Sequence, residues 1–211
     1  MNSSEHSGGG RTDGRSRIYI YADESCLGNQ FRARSNPGGA AGLVEQFRPR
    51  RGWARKDFAR FEPDTTNNRM ALWSGILGLG ALRRPSEVVF TSDSQYLVRG
   101  MKEWIHGWAR RGWKRKGGEI ENLELWQELA GVARRHRVQW RWIRGHAGHP
   151  KNEYANMLAI RTARTGEGHD GLVPSGFDDW IRARIDAGQF VDYLDVPPDE
   201  PFEPDPAAPA P

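Results

Sequence analysis

Apolar and polar residues alternate near the start of the chain, and this pattern predicts a β-strand over residues 17–23. Ile18, Ile20 and Ala22 share one face of that strand, and Asp23 ends the other face, because successive strand residues point to opposite sides. Comparable apolar runs predict four further strands, over residues 40–44, 53–61, 87–93 and 138–144.

Elsewhere, apolar residues recur every three or four positions, as they do on the buried side of an amphipathic helix. Met70, Trp73 and Ile76 follow this spacing, and Thr66 before them belongs to the residue types that cap helix N-termini. Further helices are predicted over residues 97–108, 123–135 and 150–163. Three strands followed by alternating helices and strands indicate an α/β protein, with a mixed five-stranded sheet flanked by helices.

Composition divides the chain into four parts. Residues 1–16 are rich in Gly and Ser and are predicted to be a disordered leader, whereas residues 17–165 carry the strand and helix pattern. Residues 166–196 form an extension in which residues 177–193 are compatible with one amphipathic helix. Residues 197–211 are rich in Pro and acidic residues and are predicted to be disordered.

The sequence contains no apolar stretch near the ~20 residues that cross a bilayer, and no secretory signal. Cys26 is the only cysteine, so an intrachain disulfide cannot form, and a reducing compartment is expected. These features indicate a cytoplasmic protein without a membrane partner. Nothing in the sequence requires more than a monomer.

Charge is distributed unevenly along the chain. The net charge is +4, and residues 191–211 contain six acidic residues and no Lys or Arg, so the preceding residues carry +10. A basic body indicates a polyanionic partner, although a solvated basic surface is an equal alternative on charge alone. Whether the acidic tail binds a partner or folds back onto the basic body is left open.

Two carboxylates stand at the ends of predicted strands. Asp23 closes the first strand and Asp93 closes the fourth. If these strands are neighbours, the two carboxylates converge at one sheet edge, and a divalent cation relieves their repulsion. Ligand sets made only of oxygen favour Mg²⁺ or Mn²⁺. The alternative is that each Asp is an ordinary turn residue.

Five motifs occur in a fixed order along residues 17–163 and together resemble bacterial type 1 ribonuclease H. They are YADESCLGN (residues 21–29), TTNNRM (65–70), TSDSQY (91–96), WIHGWARRGWK (104–114) and GHAGHP (145–150). The resemblance implies a ribonuclease H-like fold and hydrolysis of the RNA strand of RNA–DNA hybrids. In this family four carboxylates hold two metal ions, Mg²⁺ or Mn²⁺, at the scissile phosphate.

The resemblance also assigns roles to individual residues and exposes two departures. Asp23 matches the first family carboxylate, Asp93 matches the third, and His146 matches a mobile histidine that assists proton transfer or product release. The second carboxylate is replaced by Ala71 and the fourth by Asn156, which can offer only a neutral oxygen to a metal.

Glu24 is a candidate replacement for the missing second carboxylate. Type 2 ribonuclease H places a Glu directly after the first Asp, as this chain does at Asp23-Glu24. Because strand residues alternate between faces, Glu24 is expected to reach the site only if the strand ends or bends at Asp23. The alternatives are a hybrid-binding module without catalysis, with Glu24 on the surface, and a nuclease with a changed substrate such as double-stranded RNA.

Hybrid-binding residues are implied by the same resemblance. A basic protrusion that grips the DNA strand matches Trp104, Trp108, Arg110, Arg111 and Lys114, with the two tryptophans also packing inward. Minor-groove and 2′-hydroxyl contacts match Asn29, Asn67, Asn68, Ser94 and Gln95, and a DNA phosphate contact matches Thr66. Trp126, Trp140 and Trp142 are predicted to be core, and residues 30–35 are an insertion that either adds phosphate contacts or is a plain loop.

Overall fold

The computed structural model describes residues 17–28, 36–145 and 147–211. The predicted leader, Asn29, the insertion at residues 30–35 and His146 lie outside the described residues. The predictions made for those positions therefore stay predictions.

A mixed sheet of six strands forms the centre of the domain, in the order β5-β4-β1-β2-β3-β6. The first three strands form an antiparallel meander, whereas β4 is parallel to both β1 and β5. The strands are β1 Ile18–Cys26, β2 Gly38–Arg48, β3 Gly52–Glu62, β4 Glu87–Ser92, β5 Arg137–Trp142 and β6 His169–Pro174. The α/β class and the mixed sheet are confirmed, but the predicted number of five strands is wrong.

Helices cover both faces of this sheet. Helices α1 to α4 pack on one face, around a core that contains Phe90 and Trp126, and α5 and α6 pack on the other, around Tyr154 and Phe177. The helices are α1 Asn67–Gly80, α2 Gln95–Arg99, α3 Ile105–Arg110, α4 Leu123–Ala133, α5 Pro150–Thr165 and α6 Phe177–Asp186, with a π-helical turn at Gly100–Trp104. The side chain of Thr66 caps α1 by accepting from the backbone N–H of Arg69, in agreement with the sequence.

Close contact between α5 and β2 depends on a glycine. A Cβ atom at Gly39 would lie only 2.3 Å from the carbonyl oxygen of Ala159 in α5. A larger residue at Gly39 would therefore push α5 away from the sheet. Since α5 also contacts β1, this packing sets how α5 meets the end of β1.

The extension after residue 165 supplies the sixth strand as well as a helix. Strand β6 pairs antiparallel with the outer strand β3. Helix α6 ends at Asp186, well before residue 193, and Gly188 then adopts the left-handed conformation with φ 78°. The sequence did not distinguish this strand from a loop because β6 is short and mostly exposed, so it lacks a buried apolar side.

The last residues, 197–211, contain no helix or strand, yet they contact β5. The backbone N–H of Asp205 donates to the carbonyl of Val138 at 2.9 Å, and the Asp205 carboxylate accepts from the N–H of Trp140 at 2.7 Å and pairs with Lys102 at 3.1 Å. This placement differs from the disorder expected from composition. The reason is tertiary: the outer edge of β5 offers unpaired backbone groups, and the tail satisfies them.

Buried charges join the extension to the rest of the domain. Glu45 of β2 is fully buried, accepts from the Arg55 Nε at 3.0 Å and also bonds the Lys151 ammonium of α5. The Arg55 guanidinium also forms an ion pair with Asp178 of α6 and a hydrogen bond to Asp195. The extension is therefore connected through Arg55 and Glu45 to the first turn of α5.

None of the helices in the described ranges has the length and apolar character that a membrane span requires.

Candidate active site

Three carboxylates meet where the pairing between β1 and β4 ends. The two strands run parallel, with Ala22 opposite Ser92 as their last pair, so the residues that follow, Asp23 and Asp93, emerge side by side. One oxygen from each of Asp23, Glu24 and Asp93 lies within 4.8 Å of the others. The parallel pairing of the two strands is what brings residues 70 positions apart into one cluster.

Glu24 joins this cluster although β1 does not end at Asp23. The ladder to β2 continues through Glu24 and on to Cys26, opposite Gly38, so Glu24 joins the cluster without the strand ending at Asp23. Pairing with β4 has already ended at Ser92, and the longer Glu side chain reaches the Asp93 carboxylate beyond that end.

Ala71 is buried on the same face of the sheet as Glu24. Ala22, two residues before Glu24 on β1, belongs with Ala71 to the apolar cluster under α1. Residues two apart on a strand share a face, so Glu24 enters the site from the side where α1 carries Ala71. A methyl group there can ligate nothing, and the acid on that side comes from β1 instead.

Burial and mutual repulsion dominate the electrostatics of the cluster. Burial and, to a smaller extent, the nearby Asp93 raise the pKa of Asp23 to about 8, although hydrogen bonds from the Glu24 N–H and the Asn152 side chain act in the opposite direction. Burial, Asp23 and Asp93 also raise the pKa of Glu24 well above its usual range. Carboxyl groups held in this way retain protons until a cation compensates their charge.

The chemistry of these donors fits a divalent cation. All three side chains offer oxygen, the ligand type of Mg²⁺ and Mn²⁺. The Oε2 atom of Glu24 is buried and has no hydrogen-bond partner among the described residues. A buried carboxylate oxygen without a partner is costly, and a bound cation would satisfy it.

The amide that contacts Asp23 is Asn152, which sequence reasoning missed. Its Nδ2 donates to the Asp23 Oδ2 at 3.1 Å, and both side chains are buried. Asn156, the predicted fourth ligand, lies one turn later on α5 and is partly exposed. Residues four apart share a helix face, so Asn156 is on the site-facing side, but its role as a ligand stays a prediction.

Residues at and just after the end of β5 lie beside Asp93. A Cβ atom at Gly145 would lie 2.3 Å from the Asp93 Oδ2, so only glycine leaves room for this carboxylate. The indole N–H of Trp142 donates to the Asp93 carbonyl at 2.9 Å, while 45% of the Trp142 surface is exposed. The prediction that Trp142 is core is therefore wrong, although Trp126 and Trp140 are buried as predicted.

Polar residues predicted to read the hybrid flank the carboxylates. Thr66 and Asn67 are exposed at the N-terminus of α1, which is tied to β1 because the Cys26 thiol lies 3.4 Å from the Thr65 carbonyl. On the other side, Ser94 caps α2 directly after Asp93. The remaining members of this group are Asn68, which is partly exposed, and Gln95, which is exposed.

Aromatic rings and unpaired cations make up the predicted protrusion. Trp104 and Trp108 are half-buried and each packs against the buried ring of Trp126, with centroids 6.3 and 5.6 Å away. A Cβ atom at Gly100, in the π-helical turn, would lie 2.0 Å from that ring, so the packing needs glycine there. Beyond the rings, the exposed cations Arg110, Arg111 and Lys114 form no ion pair with any described residue.

The residues that sequence reasoning missed have only weak local signals. Asn152 stands four positions before Asn156, and that helical spacing was the signal available for it. Gly145 and Trp142 contact Asp93 only because β5 lies beside β4. Nothing in the local sequence distinguishes them from a turn glycine and a core tryptophan.

A six-stranded α/β fold with a carboxylate cluster where the pairing of β1 and β4 ends defines a ribonuclease H-like domain. The RNase H family model matches residues 15–164. Ribonuclease H from Syntrophotalea carbinolica is 42% identical over 156 residues, which are 74% of this chain and 96% of that protein. Ribonuclease H from Thiobacillus denitrificans is 44% identical over 67% of this chain and 90% of its own length. The chain belongs to the ribonuclease H family, as its motifs indicate.

A solved structure with a related site is also similar over nearly the whole chain. It is described as "LC9-RNase H1, a type 1 RNase H with the type 2 active-site motif". The match has 48% identity and a TM-score of 0.82, and it covers 92% of this chain and 94% of that one. The similarity therefore extends past the family domain into the C-terminal extension.

Proposed function

We propose that this chain is a metal-dependent endonuclease that cuts the RNA strand of RNA–DNA hybrids, with Asp23, Glu24 and Asp93 as its acidic metal ligands. The family assignment supports the reaction class. The observation that carries the residue assignment is the convergence of three carboxylates with oxygens within 4.8 Å of one another. A catalytically inactive binding module would not need three mutually repelling carboxyl groups this close together.

Glu24 takes the place of the second family carboxylate in this proposal. It enters from the α1 face, where Ala71 offers no ligand, and its partner-free Oε2 is available. The similarity to a type 1 enzyme with the type 2 motif supports the same substitution. Asn156 completes the set as a neutral fourth ligand, one helical turn beyond Asn152.

Two Mg²⁺ or Mn²⁺ ions bound at these residues would activate water and stabilise the leaving oxygen of the RNA strand. Asn152 keeps the Asp23 carboxylate oriented through its 3.1 Å hydrogen bond. Trp142 holds the backbone at Asp93, and Gly145 leaves space for the Asp93 carboxylate. His146 assists proton transfer or product release in this proposal.

The hybrid lies across the carboxylates between two binding surfaces. One surface consists of short polar side chains around the carboxylates: Asn29, Asn67, Asn68, Ser94 and Gln95 contact the minor groove and 2′-hydroxyl groups, and Thr66 contacts a DNA phosphate. On the other, the protrusion contacts DNA phosphates through Arg110, Arg111 and Lys114, with Trp104 and Trp108 beneath them. The protein acts as a monomer and works in the cytoplasm.

Cleavage of a labelled hybrid with Mg²⁺, Mn²⁺ or chelator tests this proposal. We expect Glu24→Gln to lower the cleavage rate by about a hundredfold while hybrid binding is retained, because the amide ligates metal poorly. Glu128→Gln, which changes an exposed Glu on α4, is the matched control and should cut at the parent rate. If Glu24→Gln also cuts at the parent rate, Glu24 is not a ligand. A parent protein that binds hybrid but never cuts it would support the inactive module.

A further inference from the structure

An open groove runs between α5 and α6 on the face of the domain away from the protrusion. Its volume is about 710 Å³. The α5 side contributes Met157, Ile160, Arg161 and Arg164, and the extension contributes Trp180 and Phe190. None of these residues has a role in the proposed function.

The groove begins at the active site. Glu153 and Asn156 line its first part, and Asn152, the residue just before Glu153, donates to Asp23. An α-helix rises about 1.5 Å per residue, so Arg161 lies roughly 14 Å and Arg164 roughly 18 Å along α5 from Asn152. The groove therefore leads directly away from the carboxylate cluster over the length of about three nucleotides.

Two cations in the groove have no internal partner. Arg161 and Arg164 are exposed, and within the described ranges neither forms an ion pair or a side-chain hydrogen bond. Among the described residues that line the groove, Glu153 is the one acid, and it lies at the active-site end. The outer part of the groove is thus positively charged and suited to phosphate groups.

Aromatic rings line the opposite wall. The rings of Trp180 and Phe190 have centroids 5.8 Å apart, and the Arg184 guanidinium lies 5.3 Å from the Trp180 ring centre. Phe190 adopts φ 51°, a conformation that costs a bulky residue free energy. This conformation holds the Phe190 ring in the groove, and aromatic faces beside arginines are the usual surface on which unpaired bases stack.

We propose that the α5–α6 groove binds an unpaired segment of RNA that continues the RNA strand beyond the hybrid. The RNA strand is favoured because the groove starts beside Asp23, where the scissile phosphate of that strand would lie. Arg161 and Arg164 contact its phosphates, and Trp180 and Phe190 stack on its bases. This inference rests on the proposed function, since it places the cut strand at the carboxylates.

Binding measurements with extended hybrids test the groove. Fluorescence anisotropy in chelator, which prevents cutting, would compare a short blunt hybrid with the same hybrid carrying a few unpaired nucleotides. The extensions are RNA at the 5′ end, RNA at the 3′ end, or DNA at either end. We expect one of the RNA extensions to tighten binding of the parent protein about tenfold, which is the effect of one or two stacked bases. The DNA extensions should increase the affinity less than the RNA extension does.

Variants separate the groove from the rest of the surface. Arg161→Ala with Arg164→Ala, and separately Phe190→Ala, should remove the gain from the extension and leave affinity for the blunt hybrid unchanged. Arg182→Ala is the control, because Arg182 is an exposed α6 residue that pairs with Asp179. This variant should still bind the extended hybrid more tightly than the blunt one. Thermal melting of each variant checks its fold. Because the replaced arginines are exposed, the arginine variants should have the same melting temperature as the parent.

The outcomes distinguish this inference from the proposed function. If the parent cuts the blunt hybrid but gains nothing from either RNA extension, or if the arginine variants keep the gain, the groove does not bind RNA. If DNA extensions tighten binding more than RNA does, the strand assignment is overturned. A groove that instead captures an acidic peptide, with no effect of any extension, would make it a protein-binding site. Failure of the parent to cut blunt hybrid would contradict the proposed function alone.

Discussion

Asp23 holds its carboxyl group in a buried position beside two other acids, and burial raises its pKa to about 8 from 3.8. Between these values the folded protein keeps a proton that the unfolded chain releases. The free energy of unfolding of the metal-free protein should therefore fall as pH rises from about 4 to 8. A divalent cation held by the ionised carboxylates would oppose this loss.

Asp23→Asn should remove much of this pH dependence. Without metal, we expect the free energy of unfolding of the variant to exceed that of the parent by about 1–3 kcal/mol at pH 8. At pH 4 the two values should be nearly equal, since the amide has no proton to lose. Urea unfolding in chelator at the two pH values measures the difference. Mg²⁺ should stabilise the parent more than the variant, and an equal pH slope in both proteins would contradict this account.

Gly145→Ala should impair catalysis while the fold survives. Its Cβ atom would lie 2.3 Å from the Asp93 Oδ2, so the carboxylate must move away from Asp23 and Glu24. We expect cleavage to fall roughly tenfold or more, because a shift near 1 Å in a catalytic group has that effect. Gly80→Ala has its nearest neighbour at 3.9 Å and serves as control. Equal activity of the two variants would show that Asp93 needs no such space.

At the level of elements, residues 166–211 cover the outer edges of β3 and β5. Strand β6 pairs with β3 and becomes the outer strand there, and the segment around Asp205 bonds β5. Unpaired strand edges promote association between chains, so this C-terminal region protects the edges of β3 and β5. It also reaches α5 through Arg55 and Glu45.

Asp205→Ala should destabilise the protein measurably. The change leaves the Trp140 N–H without its acceptor and breaks the ion pair with Lys102, which together should lower the free energy of unfolding by about 1–2 kcal/mol. Urea unfolding of the full chain measures this. Asp199→Ala, an exposed acid in the same segment, is the control, and equal stability of the two variants would indicate that the tail contacts contribute nothing.

At the scale of the whole molecule, the structure shows where the acidic tail meets the basic body. Acidic residues of the tail pair with Lys102 and Arg141 along the β5 side, so part of the basic body is neutralised internally. Arg110, Arg111 and Lys114 stay exposed on the protrusion. The protrusion therefore keeps positive charge that is available to a polyanion, whereas part of the charge on the β5 side is neutralised by the tail.

Hybrid binding should weaken steeply with salt, and the protrusion should account for part of the slope. Replacing Arg110 and Arg111 with Ala should reduce the slope of log affinity against log salt by about 2, one for each lost phosphate contact. Replacing Arg83 and Arg84, which are exposed before β4 at the opposite end of that strand from Asp93, should leave it unchanged. A parent slope near zero would contradict the assignment of the protrusion.

Most of the fold could be predicted because its signals are local. Alternating residues predicted β1, helical spacing and Thr66 predicted α1, and the five motifs predicted the family. Strand β6 and the bound tail could not be predicted in the same way, because neither has a buried apolar side of its own. Their positions depend on edges that other strands provide.

The sequence by itself determined the family and the α/β class, since these follow from residue identity and spacing, and the family resemblance predicts the loss of acids at Ala71 and Asn156. Only the tertiary structure decided that Glu24 joins Asp23 and Asp93, that Asn152 orients Asp23 and that Trp142 is exposed beside the site. The physical reason is that each of these depends on distances between β1, β4, β5 and α5, which are set by packing across the sheet and cannot be read from neighbouring residues.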